Sequence, residues 1–222
     1  MHVVERHARD PVPLEVKVWG DFACFTRPEM KVERVSYPVI TPTAARGVLE
    51  AIFWRPEFRW VVTEIDVLRD VRWISFVRNE VNSRASERTA RGWMQAGGIG
   101  GYIASDDRAQ RHTLALRDVA YVIRAHQVIR PDVTDDIAKY RDQFRRRVSE
   151  GRCFATPFLG CREFSASFGP PEGTDRPIEA DADLGLMLGD IAYGDSGRGT
   201  PRFFAAALER GTMRVPAPER IG

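Results

Sequence analysis

Lysine is nearly missing from this chain: only Lys17, Lys31 and Lys139 interrupt a set of 33 basic residues that is otherwise all arginine. Cysteine is scarce as well. Cys24, Cys153 and Cys161 are odd in number and show no C-x-x-C spacing, which argues against a disulfide framework or a thiolate zinc site and suits a reducing compartment. No apolar run approaches the ~20 residues that cross a bilayer, and the opening MHVVERHARDPVP lacks the apolar segment of a signal peptide. There is no internal repeat, no P-loop, no dinucleotide fingerprint and no zinc-ligand cluster. These absences lead us to expect a cytoplasmic protein that meets no membrane and needs neither metal nor cofactor.

What is present is charge, unevenly spread. The net charge is only +2. Between Arg69 and Arg130, however, eleven arginines face six acids, and from Pro171 to Thr200 seven acids face two arginines. A basic face backed by an acidic one is the footprint of a nucleic-acid binder. Arginine's planar fork also suits phosphate and base stacking, although genomic base composition produces the same bias.

The densest stretch is Arg108 to Arg130, with five arginines and two of the four histidines. From Val119 it alternates as a strand does: Val119, Tyr121, Ile123, Ala125 and Ile129 fall on one face, Arg124 and His126 on the other. Upstream, Arg111 and His112 are expected where a glycine-rich polar loop hands over to that strand. A histidine beside a fixed cation at a loop mouth suits acid–base chemistry on a phosphate. The alternative is that Arg124, His126 and Arg111 are solvated surface residues.

The remaining segments give an order of elements. Leu14–Thr26 reads as a first strand kinked at Gly20. Thr41-Pro42 opens a helix with the stripe Ala45, Val48, Leu49, Ile52 and Phe53, closed by Pro56. In it Gly47 suggests a close backbone approach, and Arg46, opposing the dipole near the N-terminus, suggests an anion. Phe58–Val81 reads as one long strand or two. Residues 79–110 read as a polar inserted loop whose Arg84, Arg88 and Arg108, with Arg78 at its edge, offer cations beside Trp93 and Tyr102. A second helix is capped by Thr134, with Asp135 and Asp136 in its first turn and Arg145, Arg146 and Arg147 in its last. FLGCREFSASF reads as a strand, an acidic proline-rich linker follows, and the end is β again. The fold class is α+β: a β-α-β-β-α-β ferredoxin-like (RRM-like) domain over 1–168, then a small antiparallel β addition over 169–222. RNA-recognition domains use that scaffold, though the fold alone does not give function.

Four blocks in order carry a resemblance. They are VKVWGDFACFTRPEMKVERVSYPVITPTAARGVLEAIFW, RHTLALRDVAYVIRA, FLGCREFSASF and LGLMLGDIAYG. Together they resemble the Cas five family of CRISPR-associated proteins, in the d (Dvulg) form of type I-C systems. The resemblance implies an endoribonuclease that trims the repeat hairpin of CRISPR precursor RNA and stays on the mature crRNA by its repeat-derived 5′ handle. Its partners would be the backbone and large subunits of a surveillance complex, with contact to DNA left open. It also implies metal-free cutting by a tyrosine on the first helix and a lysine–histidine pair before the third core strand. Arg111-His112 stands where that pair would be, so His112 is expected as the proton-transfer residue and Arg111 as the stabilising cation. The helix tyrosine has no counterpart, since Pro42 or Thr43 takes its place, and Tyr37 is the nearest. Arg46, Arg78, Arg84, Arg88, Arg108, Arg124 and His126 are the expected RNA contacts. Two rivals remain open: a non-catalytic handle-binding subunit, and a metal-dependent nuclease using Asp106-Asp107 or Asp181 and Asp183.

Overall fold

One strand is the spine of the molecule. In the computed structural model, which describes residues 12–84, 86–98, 100–194, 197 and 199–221, β5 (Arg108–Ile129) runs unbroken for 22 residues. The opening MHVVERHARDPVP lies almost wholly outside the described residues. On one side of β5 stand β1 (Leu14–Ala23), antiparallel from Leu14↔Ala125 to Ala23↔Leu116, and β2 (Arg34–Val35), parallel at Arg34↔Thr113. On the other side β3 (Phe58–Val67) pairs from Phe58↔Ile129 to Val67↔Tyr121. Then β4 (Trp73–Val81) takes over from Trp73↔Leu116 to Val81↔Arg108. The handover is marked by Asp118, which holds a positive φ of 55° while Arg69 and Arg72 both bind its carboxylate. Aspartate tolerates that left-handed backbone better than most residues.

Two helices cover one face of the sheet. α1 (Pro42–Ile52) begins where the sequence says it should: the Thr41 hydroxyl accepts from Ala44 N–H at 3.2 Å and Pro42 follows it. Such a cap is worth about 1 kcal/mol. Its Ala45, Val48, Leu49 and Ile52 are buried against Val16, Val18, Ile65, Tyr121 and Ile123 of the sheet. Each large apolar side chain so buried contributes ~1.5–3 kcal/mol. α3 (Ile137–Ser149) adds Tyr140, Phe144 and Val148 to the same core. It is capped by Asp136, two residues later than Thr134, because the Asp136 carboxylate reaches Ala138 N–H at 2.9 Å. Arg147 donates to Ile52 O at 2.8 Å and so closes the C-terminus of α1. Gly47 has nothing within 4 Å of where a Cβ would stand, so the close approach expected there is not made by any described residue.

Three expectations are revised. The polar stretch 79–110 is the far end of a hairpin, not a loop: β4 runs to Val81 and β5 starts at Arg108. Between them lie α2 (Glu87–Gln95) and a short 3-10 turn, Ala104–Asp107. The polarity arises because no residue of α2 is buried, and its Ser86 cap and Glu87–Arg91 pair stabilise it without a core. FLGCREFSASF is mostly a tight turn, since Leu159 N–H bonds Phe164 O and Phe164 N–H bonds Cys161 O, and only β6 (Ser167–Gly169) is strand. Finally, β7 (Ala182–Tyr193) and β8 (Gly199–Leu208) form their own two-stranded sheet, while β9 (Thr212–Arg214) joins β3 at the edge of the main one. Leu184, Met187, Phe204 and Met213 belong to the same apolar cluster as α1 and β5. No described helix is long and apolar enough to cross a membrane.

Candidate nucleic-acid interface

The β4–β5 hairpin presents two different faces because side chains alternate along a strand. One face carries Phe76, Arg78, Glu80, Arg111 and Thr113, and the other Trp73, Val77, Val81, Arg108, His112 and Leu114. The first face is a charge network. Arg78 binds Glu163 and reaches Thr113 Oγ1 at 3.3 Å, and Arg34 of β2 reaches Glu80 at 3.4 Å. Burial raises the Glu163 carboxyl, but its own backbone N–H, Arg78 and Arg34 more than offset this and hold it below the ordinary range. The second face is open: Trp73, Val77 and Leu114 are partly exposed beside His112.

His112 is therefore inside β5, not at the mouth of a loop. Its backbone N–H donates to the Glu33 carboxylate, which comes from the polar turn before β2. Its imidazole shares the open face with Arg108, four residues away or about 13 Å along the strand. Arg111 faces the other way and donates to Asn82 Oδ1 at 2.9 Å. Adjacent in sequence, the two are separated by the sheet. His126 lies fourteen positions further along the same strand, opposite Val61 and half-buried.

Tyr37 is set apart from this face. It is 1% exposed, with the Arg27 guanidinium 4.4 Å from the ring centroid. Burial, with the Glu29 charge, pushes its phenol above the ordinary range against the pull of the Leu188 backbone and Arg27.

The expected arginines divide in two. Arg124 binds Glu15 at 2.7 Å, Asp66 at 2.8 Å and Glu64 at 3.6 Å. Burial works against its charge, yet Asp66 and Glu15 raise its pKa further. Arg46 reaches Asp190 at 2.9 Å and Glu50 at 4.0 Å on the wall of a cavity of about 360 Å3. Arg78 is held by Glu163. These three are each paired with carboxylates of this chain. Arg84, Arg88 and Arg108 are exposed, and their side chains make no hydrogen bond or ion pair to another described residue. They stand near one end of the hairpin and are the cations open to an anion there.

Three of the four acids of the rival metal reading are occupied as turn caps, and among the described residues Asp106 accepts only from the Ser105 hydroxyl, at 3.4 Å. Asp107 accepts from Ser83 N–H, Asp181 from Arg210 N–H and Asp183 from Gly185 N–H, at 2.7–2.8 Å. Sequence reasoning missed Glu33, Asn82 and Glu163. None carries a motif: the pairing of β2 and β4 with β5 brings Glu33 to His112 and Asn82 to Arg111, and the turn at Gly160 brings Glu163 to Arg78.

Comparison with known proteins gives a consistent picture. The chain matches, over residues 13–216, the family model Cas_Cas5d, described as CRISPR-associated protein (Cas_Cas5). It is 46% identical to a protein of Thermus thermophilus named CRISPR pre-crRNA endoribonuclease Cas5d, covering 92% of this chain and 91% of that one. A protein of the same name from Mannheimia succiniciproducens is 44% identical, with 91% and 94% covered. Among solved structures, a CRISPR-associated protein has a TM-score of 0.66 at 24% identity, and a functionally uncharacterised protein from Streptococcus mutans 0.65 at 22%. Each comparison covers 93% of both chains. A chain of a CRISPR RNA-guided surveillance complex has a TM-score of 0.50 at 13% identity, with 92% and 91% covered. At these identities the solved structures bear on the fold alone.

Proposed function

Because the chain belongs to the Cas5d family of CRISPR-associated proteins, we infer that it is an endoribonuclease that processes CRISPR precursor RNA. It keeps the guide's 5′ handle and works as a subunit of a crRNA surveillance complex, here of type I-C with backbone and large subunits as neighbours. One observation carries the reading: 46% identity over nine-tenths of both chains to a protein named for that activity. The scaffold is ferredoxin-like. What supports this is the strand order β6-β1-β5-β3 with α1 between the first and second of the fold's strands in sequence and α3 between the third and fourth.

The chemistry is transesterification at a phosphodiester. The 2′-hydroxyl loses a proton and attacks phosphorus, the 5′-oxygen leaves and gains a proton, and the product ends in a 2′,3′-cyclic phosphate. Proton transfer by a positioned histidine gives typically ~10² to 10⁴ in rate. His112 is the residue for it, exposed on the open face and fixed at its backbone by Glu33. Arg108 on the same face, with Arg84 and Arg88 nearby, attracts the RNA backbone. Arg111 acts from behind, tying β5 to Asn82 at the hairpin end.

The burial of Tyr37 favours a second reading, a subunit that binds the handle without cutting, since Tyr37 does not join His112 on the open face. Incubation of the purified protein with its own repeat RNA in EDTA separates the two. A single cut leaving a 2′,3′-cyclic phosphate is expected. Tight binding with no cut would mean the passive role.

A further inference from the structure

Cys24 and Cys161 lie 137 residues apart in sequence and meet in one small buried cluster with Ala115. The meeting is built by Gly160, whose φ is +84° and where a Cβ would stand 2.1 Å from the Cys24 carbonyl oxygen. Only glycine lets the 159–161 turn lie this close to the end of β1. Cys24 N–H bonds Leu159 O at 3.0 Å, and the Cys161 thiol points at Cys24 O at 3.7 Å. Arg34 of β2 donates to Cys161 Sγ at 3.3 Å, and Thr26 Oγ1 stands 3.6 Å from Cys24 Sγ. A pair of thiols of which one faces a guanidinium is the arrangement of a nucleophile and its resolving partner.

We propose that Cys24 and Cys161 form a reversible redox modification site, with Cys161 as the nucleophile and Cys24 as the resolving thiol for low-molecular-weight disulfides. The Cys161 thiolate attacks one sulfur of the disulfide and expels one thiolate, leaving a mixed disulfide on the protein. Cys24 then loses its proton, attacks the Cys161 sulfur and expels the second thiolate. The protein gives up two electrons and two protons, and one disulfide becomes two thiols. The neighbouring Cys24 side chain holds the Cys161 thiol below its ordinary range, against burial and the Glu163 charge, with Arg34 helping. Cys24 is correspondingly pushed up. The bond ties the turn that carries Glu163, the partner of Arg78, to the end of β1. Its formation is independent of the RNA chemistry.

The test uses full-length protein with the exposed Cys153 changed to serine, incubated with oxidised glutathione. Intact mass is expected to fall by two hydrogens, and non-reducing peptide mapping to join Cys24 to Cys161, with full reversal by dithiothreitol. A mass that stays unchanged, or a glutathione adduct that persists on either cysteine, overturns the proposal. In the wild-type protein, the alkylation of Cys161 is expected to reach half its plateau rate at a lower pH than that of Cys153. Arg34→Met should move that midpoint upward. Coincident pH profiles for the two cysteines overturn the assignment of Cys161 as nucleophile.

Discussion

Arg111 and His112 are neighbours in the chain and stand on opposite faces of β5, one bonded to Asn82 and the other open beside Val77 and Leu114. The consequence is a division of labour. The open face can meet RNA at a histidine, while the back face is a closed set of ion pairs that holds the hairpin in shape.

Removing cations should sort them by that division. For single-stranded RNA the log–log slope of affinity against salt changes by about 0.7 per phosphate contact. Arg84→Ala, Arg88→Ala and Arg108→Ala should each make the slope shallower by about that amount. Arg46→Ala and Arg78→Ala should leave it unchanged, because Asp190 and Glu163 already occupy those guanidiniums. Salt titrations of binding to repeat RNA read the difference. A shallower slope only for Arg46→Ala and Arg78→Ala would place the RNA on the other side of the molecule.

Arg124 has a different penalty. Asp66, its partner, is 6% exposed at the side chain, and removing one member of a buried pair costs about 3–5 kcal/mol. Because Arg124 itself is a quarter exposed, about 3 kcal/mol is expected for Arg124→Ala. Urea denaturation measures it, and an effect under 1 kcal/mol would show that water compensates Asp66.

Much of this was legible in local sequence. Thr41-Pro42 and the stripe from Ala45 to Ile52 define α1, because capping and helical period act within one element. The strand character of Val119–Ile129 shows for the same reason. Residues 108–118 of the same strand do not show it, because neither face of the hairpin is a plain apolar core. Polar residues there satisfy ion pairs behind and solvent in front, and alternation of hydrophobicity disappears. Arg124 read as an RNA contact because its partners Glu15, Glu64 and Asp66 sit on two other strands, and only register brings them together. FLGCREFSASF has a strand's composition, but Gly160 lets the chain turn where Cys24 needs it to.

Gly47 offers a cleaner question. Its missing Cβ would touch none of the described residues, so Gly47→Ala should stabilise the protein by up to about 1 kcal/mol through helix propensity. Thermal denaturation checks this. A stabilised variant with weakened RNA binding would mean that the glycine admits the RNA backbone. A destabilised one would mean that helix α1 is strained at this point.

Acid should act through Asp175. Burial raises its carboxyl, but Lys17 Nζ at 2.7 Å and the Glu172 backbone N–H at 2.7 Å outweigh that and hold it below the ordinary range. A lowered folded value means stability that is fully present above the unfolded value, ~3.9, and lost as pH falls through the folded one. The gap in Tm between wild type and Asp175→Asn should therefore be constant near neutral pH and close below about pH 4. A gap that persists into stronger acid would assign it to the Glu172 turn and not to charge.

The most direct measurement is single-turnover cleavage of repeat RNA in EDTA by wild type, His112→Ala, Arg111→Ala and His126→Ala, with binding measured alongside. His112→Ala is expected to slow cleavage by two or more orders of magnitude with nearly unchanged affinity. Arg111→Ala should have a smaller effect that tracks a loss of hairpin stability, and His126→Ala should be mild. Cleavage by His112→Ala at the wild-type rate would contradict the assignment of proton transfer to the open face of β5.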